Sequence, residues 1–351
     1  MATSGTTHEV TDDRPVLDVH AHLMPLPLLR WLAARGLGAV SLERDLVRLD
    51  PRVCGVGPGT PLPLLPSQYR VEVRLQELDR LGLSHQAVSM PPFLFCSTAT
   101  DPRFVREIVR RGNDELAALV ALENRLPALG SAPVGWPFAA DEARRCLDEL
   151  GMAGIAIASR GAGRDLDDPV NDELWALLAE RSAFVFLHPS GIPDPLRQQD
   201  FWLPELVGYP LETALAASRM IFGGVLERFG LRLGLAHGGG GLPSLRGRLD
   251  LGWARGRVAH TTVAAPSELL GRLYYDTAVF SDRLLRRLIE DVGADHVLLG
   301  TDHPFELADR TPIETVGGLG LPEAGRRAVL WDNAAELLGL TEPKSIPKPA
   351  R

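Results

Sequence analysis

The segment "LDVHAHLMP" (17–25) sets His20 and His22 one residue apart at the end of a short apolar run. In a β-strand, side chains two apart point to the same side, roughly 7 Å apart along the backbone. Both imidazoles can therefore turn toward one ion while Ala21 faces away. Two histidines do not complete a metal site, which takes three or four protein ligands, so the others must come from elsewhere. Later apolar runs supply candidates: "FVFLHP" carries His188, "LRLGLAH" ends in His237 and "HVLLGTD" ends in Asp302. Three imidazoles and a carboxylate make a nitrogen/oxygen donor set suited to Zn2+ or another first-row divalent ion. Such an ion lowers the pKa of a water that it holds toward about 7.

Each residue also has a plain structural role open to it. His188 could cap a strand end, Asp302 in "GTDHPF" could start a turn or a helix, and His237 could be an incidental neighbour of "GGGG". Five polar residues at four strand ends weigh toward a shared site. His8, His85, His260, His296 and His303 fall outside that pattern and are read as structural.

Positioning these residues requires a fold that brings strand ends together. Eight short apolar runs can be strands: "PVLDVH", "HQAVSM", "ALGSAPV", "GIAIAS", "FVFLHP", "LRLGLAH", "LYYDTAV" and "HVLLGTD". Between them lie stretches with apolar residues at helical spacing, such as "VEVRLQELDRLG" and "LLRRLIEDVG", several closing on Gly. Eight such units without a break in composition predict a (β/α)8 TIM barrel, whose strand ends ring one mouth. A doubly wound sheet is the weaker alternative, because no GxGxxG follows the first strand. Two segments exceed the plain repeat: a Pro/Gly-rich insertion at 24–68 after strand 1, and residues 189–209 after strand 5. Loops this long are usually functional or disordered, and these are expected to wall or cover the pocket. The chain thus divides into a disordered arm (1–14), one barrel domain (15–341, with 24–68 as a lid-like insertion) and a Pro-rich tail (342–351).

The 351 residues carry a net charge of −8, which argues against nucleic acid or an anionic membrane as partner. No apolar run reaches membrane-spanning length. The start, "MATSGTTHEVTDDRP", has no apolar signal core, so a cytoplasmic location is expected. Cys54, Cys96 and Cys146 show no CxxC spacing and predict no disulfide framework. The only lysines are Lys344 and Lys348 in the tail, a bias typical of a high-GC bacterial genome. The barrel therefore has no lysine for a Schiff base, a P-loop or a carbamylated metal bridge.

From Val16 to Leu340 the chain resembles the amidohydrolase superfamily, in the branch of 2-amino-3-carboxymuconate-6-semialdehyde decarboxylase and related decarboxylases (the amidohydrolase-2 group). The blocks that carry the resemblance are "DVHAHLMP", "RLQELDRLGLSHQAVSM", "FWLPELVGYPLETALA", "RMIFGGVLERFGLRLGLAHGGG", "LLGTDHPF" and "DNAAELLGL". It implies one zinc per chain, with manganese or iron possible, held by His20, His22, His188 and Asp302, and His237 as acid/base beside it. It also implies substrate contacts from Trp202 and Phe305, and a homodimer in which Arg248 reaches the neighbouring subunit's pocket. Two elements depart from the family, and one is the "HPS" after strand 5, which stands where a bulkier aromatic is common. A substrate-binding arginine is expected before the "RLQELD" helix, but here the loop reads "GVGPGTPLPLLPSQYR", with Arg52 and Arg70 outside any matching motif.

The resemblance implies non-oxidative decarboxylation of an aromatic or unsaturated amino- or hydroxy-carboxylic acid, with Asp302 shuttling the proton that replaces CO2. The altered arginine shell keeps an alternative open. The same metal could serve a hydrolase or cyclase of bacterial secondary metabolism, acting on an aminophenol-type aryl ester or amide and giving a benzoxazole-like heterocycle. A metal-stabilised barrel used only for binding is the weakest reading, because His237 is retained.

Overall fold

The computed structural model of the protein describes residues 14–54, 60–256 and 262–342. Nearly all of the expected arm and tail, with His8, His260 and both lysines, lies outside the described residues.

Strands occupy all eight of the apolar runs: β1 (Leu17–His22), β2 (His85–Ser89), β3 (Leu129–Ala132), β4 (Gly154–Ala158), β5 (Phe184–His188), β6 (Arg232–Leu235), β7 (Tyr274–Asp276) and β8 (Val297–Leu298). β3 to β8 form a six-stranded parallel sheet in chain order, and β1 pairs in parallel with β2. The pair is bonded on both flanks. On one, Val88 N donates to Pro127 O at 2.9 Å, beside a parallel bridge from Val88 to Ala128. On the other, Val19 N donates to Leu299 O and His22 N to His303 O, each at 2.9 Å.

Every residue of β1, β4 and β5 is buried, as expected for parallel strands covered on both faces. β1 alone alternates sharply in residue type, with Leu17, Val19 and Ala21 apolar and Asp18, His20 and His22 polar, and its pairing with β2 shifts register between Asp18 and Ala21. Helices between the strands complete the α/β pattern. The 19-residue helix Pro102–Val120 begins at Asp101, whose carboxylate accepts the Arg103 amide at 2.9 Å, with Pro102 at the first helical position. The helix Val71–Leu81 stops at Gly82, in the left-handed region with φ 70°.

The segment 24–68 is more ordered than its composition suggests. It holds a helix, Leu26–Ala34, and a three-stranded antiparallel sheet of Gly38–Ser41, Leu46–Leu49 and Leu62–Pro63. Leu28, Leu29 and Leu32 bury one face of that helix, which a reading led by Pro and Gly overlooks. Residues 189–209 hold a short 3-10 helix, Pro195–Arg197, and end in a π-helical turn, Pro204–Gly208, that runs into the helix Tyr209–Phe222.

After β6 the chain makes an unusual turn. His237 (φ 58°) and Gly238 to Gly241 (φ 57°, 73°, 62° and 83°) are all left-handed. The turn lets the helix Tyr209–Phe222 come close: a Cβ on Gly240 would overlap the Pro210 carbonyl oxygen, whereas one on Gly241 meets nothing within 4 Å. Gly241→Ala should therefore meet only the backbone strain of an L-residue, about 1–2 kcal/mol, and Gly240→Ala that strain plus a collision. Thermal unfolding should show Gly240→Ala melting several degrees below Gly241→Ala. Equal melting temperatures would mean that the helix is not seated on this turn.

Candidate metal centre

The ends of β1, β5, β6 and β8 bring the five predicted residues to one place. His20 Nε2 lies 3.1 Å and His22 Nε2 3.3 Å from Asp302 Oδ1, and His237 Nε2 lies 3.6 Å from Asp302 Oδ2. The His188 ring is centred 4.9 Å from that of His20, 5.1 Å from His22 and 5.2 Å from His237. Two subsets of the five could hold an ion. Donor atoms of His20, His188, His237 and Asp302 all lie within 4.8 Å of one another, a group that leaves out His22.

Hydrogen bonding favours the set that includes His22. His20 Nε2, His22 Nε2, His188 Nε2 and Asp302 Oδ1 are buried and find no hydrogen-bond partner, whereas the unpartnered nitrogen of His237 is Nδ1. The opposite ring nitrogens are engaged. His20 Nδ1 lies 2.6 Å from Asp276 Oδ2, His188 Nδ1 donates to Pro189 O at 2.9 Å, and His22 Nδ1 is 3.2 Å from Ser89 Oγ. A proton on Nδ1 leaves the Nε2 lone pair free for an ion. Four converging buried acceptors suit a cation among them, while spacing alone does not separate ligand from neighbour.

Charge points the same way. Burial lowers the pKa of His22 and takes that of His188 well below its usual value, which keeps both neutral. Burial also acts downward on His20, but the Asp302 charge and the Asp276 hydrogen bond outweigh it and raise His20 to about 10. Burial would raise Asp302, yet the His20 charge and the surrounding imidazoles hold it well below the usual carboxylate range. Two buried carboxylates around one imidazole favour a positive charge there, which a protonated His20 supplies in the metal-free protein and a divalent ion can supply in its place.

Sequence reasoning missed the supports behind these ligands. Asp276 ends β7, the one strand end with a carboxylate that went unused. Arg74, fully buried, sends Nη2 to His22 O and Nη1 to His303 Nδ1, each at 2.6 Å, Nη1 also to Gln86 Oε1 at 2.9 Å, and Nε to Ser67 O at 2.8 Å. Gln86 passes the contact to Asp18 at 2.8 Å, and Asp18 also takes the Thr301 hydroxyl at 2.6 Å. His303 Nε2 in turn lies 2.9 Å from Glu77 Oε2.

The predicted substrate contacts are placed less uniformly. Phe305 joins the centre, its ring 5.1 Å from that of His22. Trp202 lies in the irregular segment after β5 and is 43% exposed. Arg248 is exposed on the helix Arg246–Ala254. Arg52 and Arg70 pair locally, with Asp50 at 2.8 Å and Glu72 at 2.7 Å.

Removing an orphaned imidazole should empty the centre. His20→Ala and His188→Ala should each sharply lower the metal content of protein refolded with zinc and dialysed, measured by elemental analysis. Full occupancy in both variants would refute the ligand set.

Comparison with known proteins agrees with this geometry. The family profile described as Amidohydrolase matches residues 17–340. The 2-amino-3-carboxymuconate-6-semialdehyde decarboxylase of Dictyostelium discoideum is 36% identical over 282 residues, covering 78% of each chain. The gamma-resorcylate decarboxylase of Polaromonas sp. is 26% identical, over 76% of this chain and 86% of its own. The crystal structure of 5-carboxyvanillate decarboxylase from Sphingomonas paucimobilis superposes with a TM-score of 0.80 at 24% identity, over 93% of this chain and 99% of the other. The convergent donors, the fold and the profile lead to one conclusion: this chain belongs to the amidohydrolase family.

Proposed function

We propose that this chain is a metal-dependent, non-oxidative decarboxylase of an aromatic or unsaturated carboxylic acid bearing amino or hydroxyl groups. The observation that carries the reading is the 36% identity to a decarboxylase across most of both chains, in a chain whose strand ends converge on an imidazole–carboxylate centre. His20, His22 and His188 through Nε2, and Asp302 through Oδ1, would hold one divalent ion, zinc first and manganese or iron as alternatives. When bound, the ion supplies Lewis-acid polarisation of substrate oxygens. The hydrolase or cyclase alternative has no counterpart among the relatives named above.

The reaction breaks the bond between the carboxyl carbon and the ring or alkene carbon. CO2 leaves, the electron pair stays on the carbon, and a proton takes the vacated position. We assign that proton to His237, whose Nε2 faces Asp302 Oδ2 at 3.6 Å. Asp302, held ionised by its neighbours, attracts the imidazolium form of His237 across that gap. Phe305 offers a ring beside His22 on which a planar substrate can lie. A closed eight-stranded barrel belongs to this reading, supported by the bonds from β1 and β2 to both flanking strands. So does the role of residues 24–68 and 189–209 as pocket walls.

The test is CO2 release by the metal-loaded protein from aminocarboxymuconate semialdehyde and from a panel of hydroxylated and aminated benzoic acids. At least one should be decarboxylated, and His237→Ala should keep the metal while losing about 10²–10⁴ in rate. No CO2 from any of them, with turnover of an aryl ester or amide, would move the assignment to the hydrolase or cyclase class.

A homodimer is the second part of the reading. Leu196, Phe201, Leu206, Leu211, Leu215 and Leu251 are each about half or more exposed. Five of them fall within 196–215, and Leu251 lies on the helix Arg246–Ala254 that also carries Arg248. Exposed apolar side chains in number are a feature of association surfaces, and an exposed arginine can grip a carboxylate through two parallel hydrogen bonds. Sedimentation should give a dimer, and Arg248→Ala should raise KM for the acid substrate more than it lowers kcat. A monomer that stays fully active at high dilution would remove Arg248 from the site.

A further inference from the structure

Asp276 touches both halves of the centre. Its Oδ2 lies 2.6 Å from His20 Nδ1, and its Oδ1 accepts the Gly238 amide at 2.8 Å and the Ala278 amide at 3.2 Å. Gly238 is the residue after His237, within the left-handed turn. One fully buried carboxylate thus orients a ligand imidazole with one oxygen and anchors the turn that carries His237 with the other. The spacing is set by a neighbour without a side chain. A Cβ on Gly300 would sit 2.7 Å from the Cβ of Asp276 and 3.0 Å from that of His20.

We propose that Asp276 is a positioning residue that makes the ion site and His237 one mechanical unit. The proposal rests on the reading of His20 as a ligand. Asp276 fixes the His20 proton on Nδ1 and so aims Nε2 at the ion. An ion on Nε2 polarises the imidazole and strengthens the Nδ1–H donation to Oδ2. That holds the carboxylate, and with it the Gly238 amide and His237, in place. Loading the ion and setting the acid/base are then coupled through four atoms. A carboxylate is required because both of its oxygens accept. An amide offers one acceptor and one donor, so Asn at this position can serve His20 or Gly238 but not both.

The experiment uses zinc and the full-length protein. In the wild type, hydrogen exchange at the Gly238 amide should slow when zinc is loaded. In Asp276→Asn, zinc affinity measured against a chelator should fall 10–100-fold, and the zinc-linked slowing at Gly238 should vanish. Gly300→Ala keeps the carboxylate but wedges it away from His20, and should shift both readouts in the same direction. The proposal is overturned if Asp276→Asn binds zinc as tightly as the wild type. It is also overturned if exchange at Gly238 in the wild type ignores zinc, a measurement that stands even where the variants do not fold. A wild type that binds no divalent ion would instead bring down the metal reading, and this proposal with it.

Discussion

Three imidazole nitrogens and a carboxylate oxygen buried together, none with a hydrogen bond of good geometry, form the constraint around which this molecule is built. Each buried polar atom left unpaired costs about 1–3 kcal/mol. Local contacts among the four would relieve that cost by turning the rings away from one another. The fold prevents it by bonding each of the four residues from behind: His20 by Asp276, His188 by the Pro189 carbonyl, and Asp302 by its amide to His20 O at 2.8 Å. His22 is held twice, by Ser89 at the ring and by Arg74 at the carbonyl.

Arg74 shows how far the support extends. Its guanidinium is fully buried, and burial lowers it to about 10. Four acceptors and a path through His303 to Glu77 keep it in place. A buried charge with this many partners stiffens its surroundings more than it stabilises them, and here the surroundings are the ends of β1, β2 and the segment after β8. Backbone strain lies in the same region: His237 and Asp302 both have positive φ without being glycine. Such residues persist where the neighbourhood over-determines them, which is common at working sites.

How much of this could be read from the sequence follows from how local each signal is. β1 with its alternating histidines, the apolar runs and their polar ends are properties of six to eight consecutive residues, and the structure places all eight strands on them. Asp276 and Arg74 carry no such signal. Each reaches one partner far along the chain, 256 residues away for Asp276 (His20) and 229 for Arg74 (His303), so only the folded chain shows why a carboxylate after "LYY" or an arginine inside "VEVRLQ" matters. The helix Leu26–Ala34 was hidden differently. Pro25 and Pro27 at its start, with Gly36 and Gly38 after it, mark a loop by composition, while Leu28, Leu29 and Leu32 mark a helix by spacing. The left-handed backbone at His237 was half visible, in the four glycines that follow it.

Those glycines make the chain lose its handedness for one turn. From Gly238 to Gly241 the backbone angles, such as φ 57°, ψ 28° and φ 73°, ψ 19°, describe a short helix wound in the mirror sense. L-amino acids resist that sense by about 1–2 kcal/mol each, so four of them would cost about as much as the marginal stability of many whole proteins. Only the achiral residue can be repeated there. His237 is the single chiral member of the turn, an L-residue embedded in a mirror-image frame. Its ring therefore leaves the backbone in a direction that no ordinary right-handed turn at the end of β6 could provide.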